Sequence, residues 1–176
     1  MATVAITPDQ DVVDVEIFIE APPERVFQAI TDPRQVPQWW GQTALYRVTS
    51  YKADVRPGGK WRSDGEGADG KTFYVEGEYL EVDRPRLLVF TWKSSYDAGQ
   101  ETTVRWELEP KGVHRLAGNT PLKIGGGTLV RIRHSGFAGN AASAKAHGSG
   151  WVRVLGWMEA YVLRNETVDS RPATTD

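Results

Sequence analysis

Cysteine is absent from the chain of 176 residues. Disulfide frameworks, thiolate nucleophiles and cysteine-based zinc sites are therefore excluded. Histidine is scarce, with three in all, so few side chains can exchange a proton near neutral pH. No apolar run approaches the ~18 residues of a membrane span. No charged start followed by an apolar stretch marks a signal peptide, so a cytoplasmic protein is the expectation. Neither sign of charge dominates: Lys and Arg number 21 against 23 Asp and Glu, a net charge of −2 with no basic block. That balance argues against nucleic acid or an anionic membrane as the partner. What is abundant is tryptophan. There are seven, a residue that commonly lines pockets and interfaces because it is rarely buried completely.

At 40% hydrophobic and 25% charged residues, the chain has the composition of one globular domain with a real core. Its longest periodic stretch is residues 144–165. Wound at ~100° per residue, Trp151, Val154, Leu155, Met158 and Val162 share one face with His147 and Gly148. A helix of this length spans ~30 Å and needs a broad apolar surface to cover it. Period-two stretches supply that surface. They fall at 12–20, from 43 to the Arg56-Pro57-Gly58-Gly59 turn, and at 60–64, 72–82, 87–94, 101–109 and 128–135. Between the first two lie short helices, 24–30 and 33–40, with Pro23 and Pro33 at first-turn positions and Asp32 as an N-cap. Gly77 within its strand suggests a bulge or a close approach. Residues 1–11 and 166–176 read as flexible polar tails around a domain at 12–165. Residues 110–127 are long for a hairpin and read as a loop or added flap.

Consecutive strands on short turns make an antiparallel sheet. The expected fold is α+β: a curved sheet of about seven strands wrapped round the C-terminal helix, with two short helices closing one end. Such a grip leaves space between sheet and helix, suited to a small apolar ligand. Trp61, Phe73, Tyr79, Phe90, Trp92, Trp106, Trp151, Leu155 and Met158 would face it, either as a packed core or as a pocket wall. His134 and His147 are the polar groups nearest to it. Each is either a satisfied structural histidine or, in an enzyme, the acid/base. A metal would need carboxylate ligands at no recognisable spacing, so no metal and no cofactor is expected. His114 lies in the long loop, and Arg131 and Arg133 read as outward and solvated. Glu76, Glu78, Arg105 and Glu107 read as a charge ladder on the outer face. Of Trp39 and Trp40, one would plug the cavity end and the other stand at a mouth. Trp157 and Tyr161 flank the helix face and suit either a homodimer contact or the core edge.

Particular motifs carry a resemblance. Ala21-Pro22-Pro23-Glu24-Arg25-Val26-Phe27, Thr31-Asp32-Pro33 and Trp39-Trp40 resemble the opening of the START-like, Bet v 1-like (SRPBCC) superfamily. Pro57-Gly58-Gly59-Lys60-Trp61, Gly77-Glu78-Tyr79, Asp83-Arg84-Pro85, Leu88-Val89-Phe90-Thr91-Trp92, His134-Ser135-Gly136-Phe137 and Gly150-Trp151 resemble, more narrowly, the family named for the activator of Hsp90 ATPase. The resemblance implies the helix-grip fold with a cavity under the last helix. It leaves three functions open: a binding protein for a small lipid-like or aromatic molecule, a cyclase, hydrolase or lyase using the same cavity, or a chaperone-associated module.

Overall fold

In the computed structural model, residues 1–112 and 126–172 are described. The alternating stretches form one nine-stranded antiparallel sheet with neighbours in the order β1-β2-β9-β8-β7-β6-β5-β4-β3. The strands are β1 (Thr3–Ile6), β2 (Val12–Ile19), β3 (Gly41–Gln42), β4 (Tyr46–Ala53), β5 (Lys60–Gly67), β6 (Thr72–Asp83), β7 (Leu87–Ser94), β8 (Glu101–Lys111) and β9 (Gly127–Ser135). Helices α1 (Pro23–Thr31) and α2 (Val36–Trp39) follow β2, and the long helix α3 (Ala141–Arg164) follows β9. The chain has the helix-grip fold. Seven strands were expected; the two further ones, β1 and β3, are the sheet's edges.

Alternation sets which face is dry. Val13, Val15, Ile17 and Ile19 of β2 are buried, as are Val104, Trp106 and Leu108 of β8, and Val130, Ile132 and His134 of β9. Their neighbours carry the outer charges. Arg131 pairs with Glu16 and Glu109, and Arg133 with Asp14. Arg62 pairs with Glu76, Lys60 with Glu78, and Arg105 with Glu107. Gly77 is a close approach: a Cβ there would lie 1.9 Å from the carbonyl oxygen of Thr91. Its lack of a side chain lets the Trp61 indole N–H donate to that oxygen at 3.2 Å. The register shift in β6 falls just after it, between Tyr79 and Glu81.

Three local expectations change. The N-terminal residues do not form a loose tail throughout: β1 pairs with β2, Thr3 opposite Glu16 through Ile6 opposite Val13. Gly148 makes room for this, since a Cβ on it would stand 3.3 Å from Val4 and 3.5 Å from Ile6. The second short helix begins at Val36, because Asp32 accepts from the backbone N–H and guanidinium of Arg34 and so closes a turn ahead of it. Residues 168–170 form a turn of 3-10 helix and are not frayed. Behind them the buried Arg171 donates from Nη1 to the carbonyls of Trp39 (2.6 Å) and Gly41 (2.5 Å). From Nη2 it donates to Trp157 (3.0 Å) and Glu166 (3.3 Å). Its guanidinium carbon lies 5.5 Å from the centroid of the Trp157 ring.

Helix α3 starts at Ala141, three residues earlier than its periodicity suggests, since Asn140 Oδ1 accepts from Ser143 N. It ends at Asn165, whose left-handed backbone (φ 55°) caps it. Trp151, Val154, Leu155 and Met158 are buried. So are Ala160, Trp157 and Tyr161. The Tyr161 hydroxyl shares its one proton between Gln35 Oε1 and Gln38 Oε1 of the α2 region, each at 3.4 Å, and Trp157 meets Tyr46 and Arg171. These two rings are core within one chain and offer no face to a second copy. The flap expected at 110–127 and His114 lie largely or wholly outside the described residues.

Candidate functional site

Aromatic side chains from six elements meet beneath α3. Trp61 packs against Phe90 (5.2 Å between ring centroids) and Trp92 (5.6 Å), and Trp92 against Trp151 (5.4 Å). Trp151 also meets Trp40 (5.9 Å) and Trp106 (5.8 Å), both edge-on. Rigid flat rings meeting at steep angles leave wedges that no side chain fills. Two hollows result. An inner one of about 60 Å³ is walled mainly by Tyr51, Trp61, Phe73, Phe90 and Trp106. An outer one of about 140 Å³ lies against α3, between His147, Gly150, Trp151 and Val154. Trp40, Trp92 and Tyr96 wall both.

Of the residues expected to face this space, Trp61, Phe73, Phe90, Trp92 and Trp106 border the inner hollow, and Trp92, His147 and Trp151 the outer. Tyr79, His134, Leu155 and Met158 border neither and are buried in the packing around them. Trp39 is likewise buried, its indole donating to Ala29 O at 2.8 Å. Tyr51, Trp40 and Tyr96 are walls that periodicity did not single out as such. Tyr51 and Tyr96 lie beyond the regular part of the alternation, and Trp40 follows a one-turn helix.

The two histidines differ in their hydrogen bonds. The Trp151 indole can only donate, and it does so to His134 Nδ1 at 3.0 Å. Nε2 therefore carries the proton and donates to Thr102 Oγ1 at 2.6 Å, and the Thr102 hydroxyl donates on to Trp92 O at 3.2 Å. Both ring nitrogens are used, and the ring is neutral. Burial, then the nearby His147, holds its pKa well below the ordinary value. Accepting a proton would cost the Trp151 bond, so His134 is poorly placed as a base.

His147 stands 4.9 Å away, ring to ring. The Ser143 hydroxyl donates to the Asp97 carboxylate, which can only accept. His147 Nδ1 then donates to Ser143 O at 2.9 Å, which leaves the lone pair on Nε2. That atom is buried without a hydrogen-bond partner. Burial lowers the pKa of His147, partly offset by the Ser143 carbonyl and Asp97. Asp97, Ser143 and His147 are the residue types of a hydrolytic triad in the wrong order. A nucleophilic serine needs its proton taken by histidine; here serine gives it to aspartate. Among the described residues no group of three His, Asp or Glu is placed to hold a metal ion.

Residues 20–116 match the model of the family described as activator of Hsp90 ATPase homolog 1-like protein, more than half of the chain. The chain belongs to this family. Solved structures agree in fold. A Rhodobacter sphaeroides protein aligns with a TM-score of 0.73 and 18% identity, over 94% of this chain and 100% of its own. Ms6760 from Mycobacterium smegmatis aligns at 0.70 and 20%, over 94% and 100%. DynU16, encoded in the dynemicin biosynthetic locus, aligns at 0.66 and 24%, over 93% of this chain and 50% of its own. No curated protein sequence matches the chain. Membership in this family is consistent with ligand binding and names no ligand. Among the described residues, no helix is long and apolar enough to cross a membrane.

Proposed function

We propose that this family member binds a small apolar molecule carrying an aromatic ring, held in the outer hollow between Trp40, Trp92, Trp151 and α3. The hollow itself carries the reading: at about 140 Å³ it is close to the roughly 150 Å³ apolar cavity that accepts benzene. Flat walls at several angles suit a flat guest, and apolar burial supplies the driving force. The enzyme reading keeps one specific observation, the unpartnered Nε2 of His147. Among the described residues that wall the hollow, the one other titratable side chain is Tyr96, and no carboxylate, serine or threonine stands with it. A chaperone-docking role would favour an exposed aromatic patch around Trp39 or Trp157, and both are buried.

The test is a titration with toluene, read by NMR of the tryptophan indole N–H signals. The proposal expects saturable shifts at Trp40, Trp92 and Trp151, and little change at Trp39. No saturable shift, or shifts confined to tryptophans outside the hollow, would overturn it. Native mass spectrometry of the protein purified from its own host would then identify the molecule it carries.

A further inference from the structure

Four buried side-chain polar atoms lack a hydrogen-bond partner among the described residues: Asp11 Oδ1, Trp92 Nε1, Ser94 Oγ and His147 Nε2. Three of the four gather round one side chain, Tyr96. Trp92 and Ser94 are successive inward positions at the end of β7, and Tyr96 follows them. Its ring lies flat against His147 (6.5 Å, 28° between planes) and edge-on to Phe73 (5.9 Å). Its hydroxyl is turned inward, close enough to Ser94 and Trp92 for both to act on its acidity. Neither contact has the geometry of a normal hydrogen bond. The residue as a whole is 57% exposed, and the turn after it includes Ala98 and Gly99 with positive φ. Moving Tyr96 aside therefore gives up little buried area.

Unpaired buried polar atoms destabilise a fold, and native proteins rarely cluster them without a use. Here the cluster is two donors, Trp92 Nε1–H and Ser94 Oγ–H, and one acceptor, His147 Nε2. A hydroxyl oxygen accepts twice and donates once, which is the complement of that set. A carboxylate would face the His147 lone pair, and among the described residues no Lys or Arg lines the outer hollow to balance it. An ammonium would find at most two acceptors, His147 Nε2 and Ser94 Oγ, for three protons, and could accept nothing from Trp92 Nε1–H. The ring walls add the other half of the specification.

We propose that Tyr96 is a built-in stand-in for the ligand, and that the ligand is a hydroxyaromatic molecule whose phenol group displaces it. The ligand oxygen accepts from Trp92 Nε1–H and donates to His147 Nε2, both on the outer hollow, and it accepts from Ser94 Oγ–H, which borders neither hollow and is reached through the space the Tyr96 hydroxyl leaves. This rests on the cavity reading above and adds the chemical class of the guest.

The experiment compares p-cresol with p-xylene, which replaces the hydroxyl by a methyl group of similar size, by isothermal titration and NMR. The full chain is used as wild type, Tyr96→Ala and Ser94→Ala, each checked for unchanged thermal unfolding. The expected result is about tenfold tighter binding of p-cresol, the worth of one or two good hydrogen bonds. Tyr96→Ala should tighten p-cresol about fivefold by removing the competitor, and Ser94→Ala should shrink the preference about threefold. Equal binding of the two probes overturns the hydroxyl recognition and leaves the apolar cavity standing. Weaker p-cresol binding in Tyr96→Ala overturns the stand-in role. If neither probe binds any form, the cavity reading fails and takes this one with it.

Discussion

His134 and His147 belong to one aromatic cluster, 4.9 Å apart, yet sit on opposite sides of a divide. Around His134 every polar atom is used, from the Trp151 indole through both ring nitrogens to Thr102 and the Trp92 carbonyl. Around His147 and Tyr96, three buried polar atoms have no partner, and the outer hollow opens against two of their residues, Trp92 and His147. The first region holds sheet to helix. The second is left incomplete, and that open polar set beside the hollow is what the binding proposal rests on. Burial alone does not separate the two rings' roles; completeness of hydrogen bonding does.

The contrast predicts unequal consequences. His134→Ala should be the most damaging change, costing about 3–5 kcal/mol. It opens a void and strands the Trp151 N–H, while the Thr102 hydroxyl loses the donor on His134 and keeps its bond to Trp92 O. His147→Ala strands no buried partner other than a backbone carbonyl and should cost about 1 kcal/mol or less. Urea unfolding of both variants checks the difference, and similar losses would mean that the two histidines hold the fold equally. The Arg171 clasp is a complete set of the same kind, built from four carbonyls. Arg171→Ala should cost about 2–3 kcal/mol, and lysine should recover little because an ammonium cannot fork to four separated oxygens. Denaturant midpoints of the two variants provide the measurement.

Acid sharpens the same comparison. Both imidazoles are held below their ordinary pKa by burial. The unfolded chain therefore binds protons below about pH 6.5 that the folded chain refuses. The stability this represents is fully present above that pH and is lost as the pH falls toward the folded values. The slope approaches about 1.4 kcal/mol per pH unit for a single group. Unfolding measured at pH 7.5, 6.5 and 5.5 should show the decline, and His147→Ala should retain most of it because His134 is the more strongly shifted. A flat profile would mean His134 is not held neutral. The smallest effect concerns two glycines of α3. Gly156 has open space around its Cβ position, so Gly156→Ala should add about 0.5–1 kcal/mol. Gly148→Ala should add less or nothing, because its Cβ would press on Val4 of β1. Thermal melts of the pair test whether β1 is seated on the helix.

Much of this was legible in the order of residues. The alternation in 12–20, 87–94 and 101–109, and the stripe through Trp151, Leu155 and Met158, sufficed for the helix-grip arrangement, because burial on one face imposes its period on the chain. The edge strand β1 was not legible. Four residues give too short an alternation, and what holds them is Gly148, more than 140 positions away. The clasp escaped for a similar reason: Arg171 is one charge in a polar tail until the carbonyls of Trp39, Gly41 and Trp157 converge on it with that of nearby Glu166. In the site, the aromatic stripe pointed to Trp61, Phe73, Phe90, Trp92, Trp106 and Trp151. It could not sort them from Tyr79, Leu155 and Met158, which share the pattern and fill space solidly. Trp40 and Tyr96 stand outside any period.

Local sequence thus determined which faces are apolar, which strands pair in succession, and that one long helix must be gripped, since each follows from side-chain spacing over a few residues. Tertiary structure alone decided where packing falls short, which histidine is satisfied, and which polar atoms stay open. Those depend on angles between rings brought together from 40 to 151, and no spacing along the chain encodes an angle between two planes.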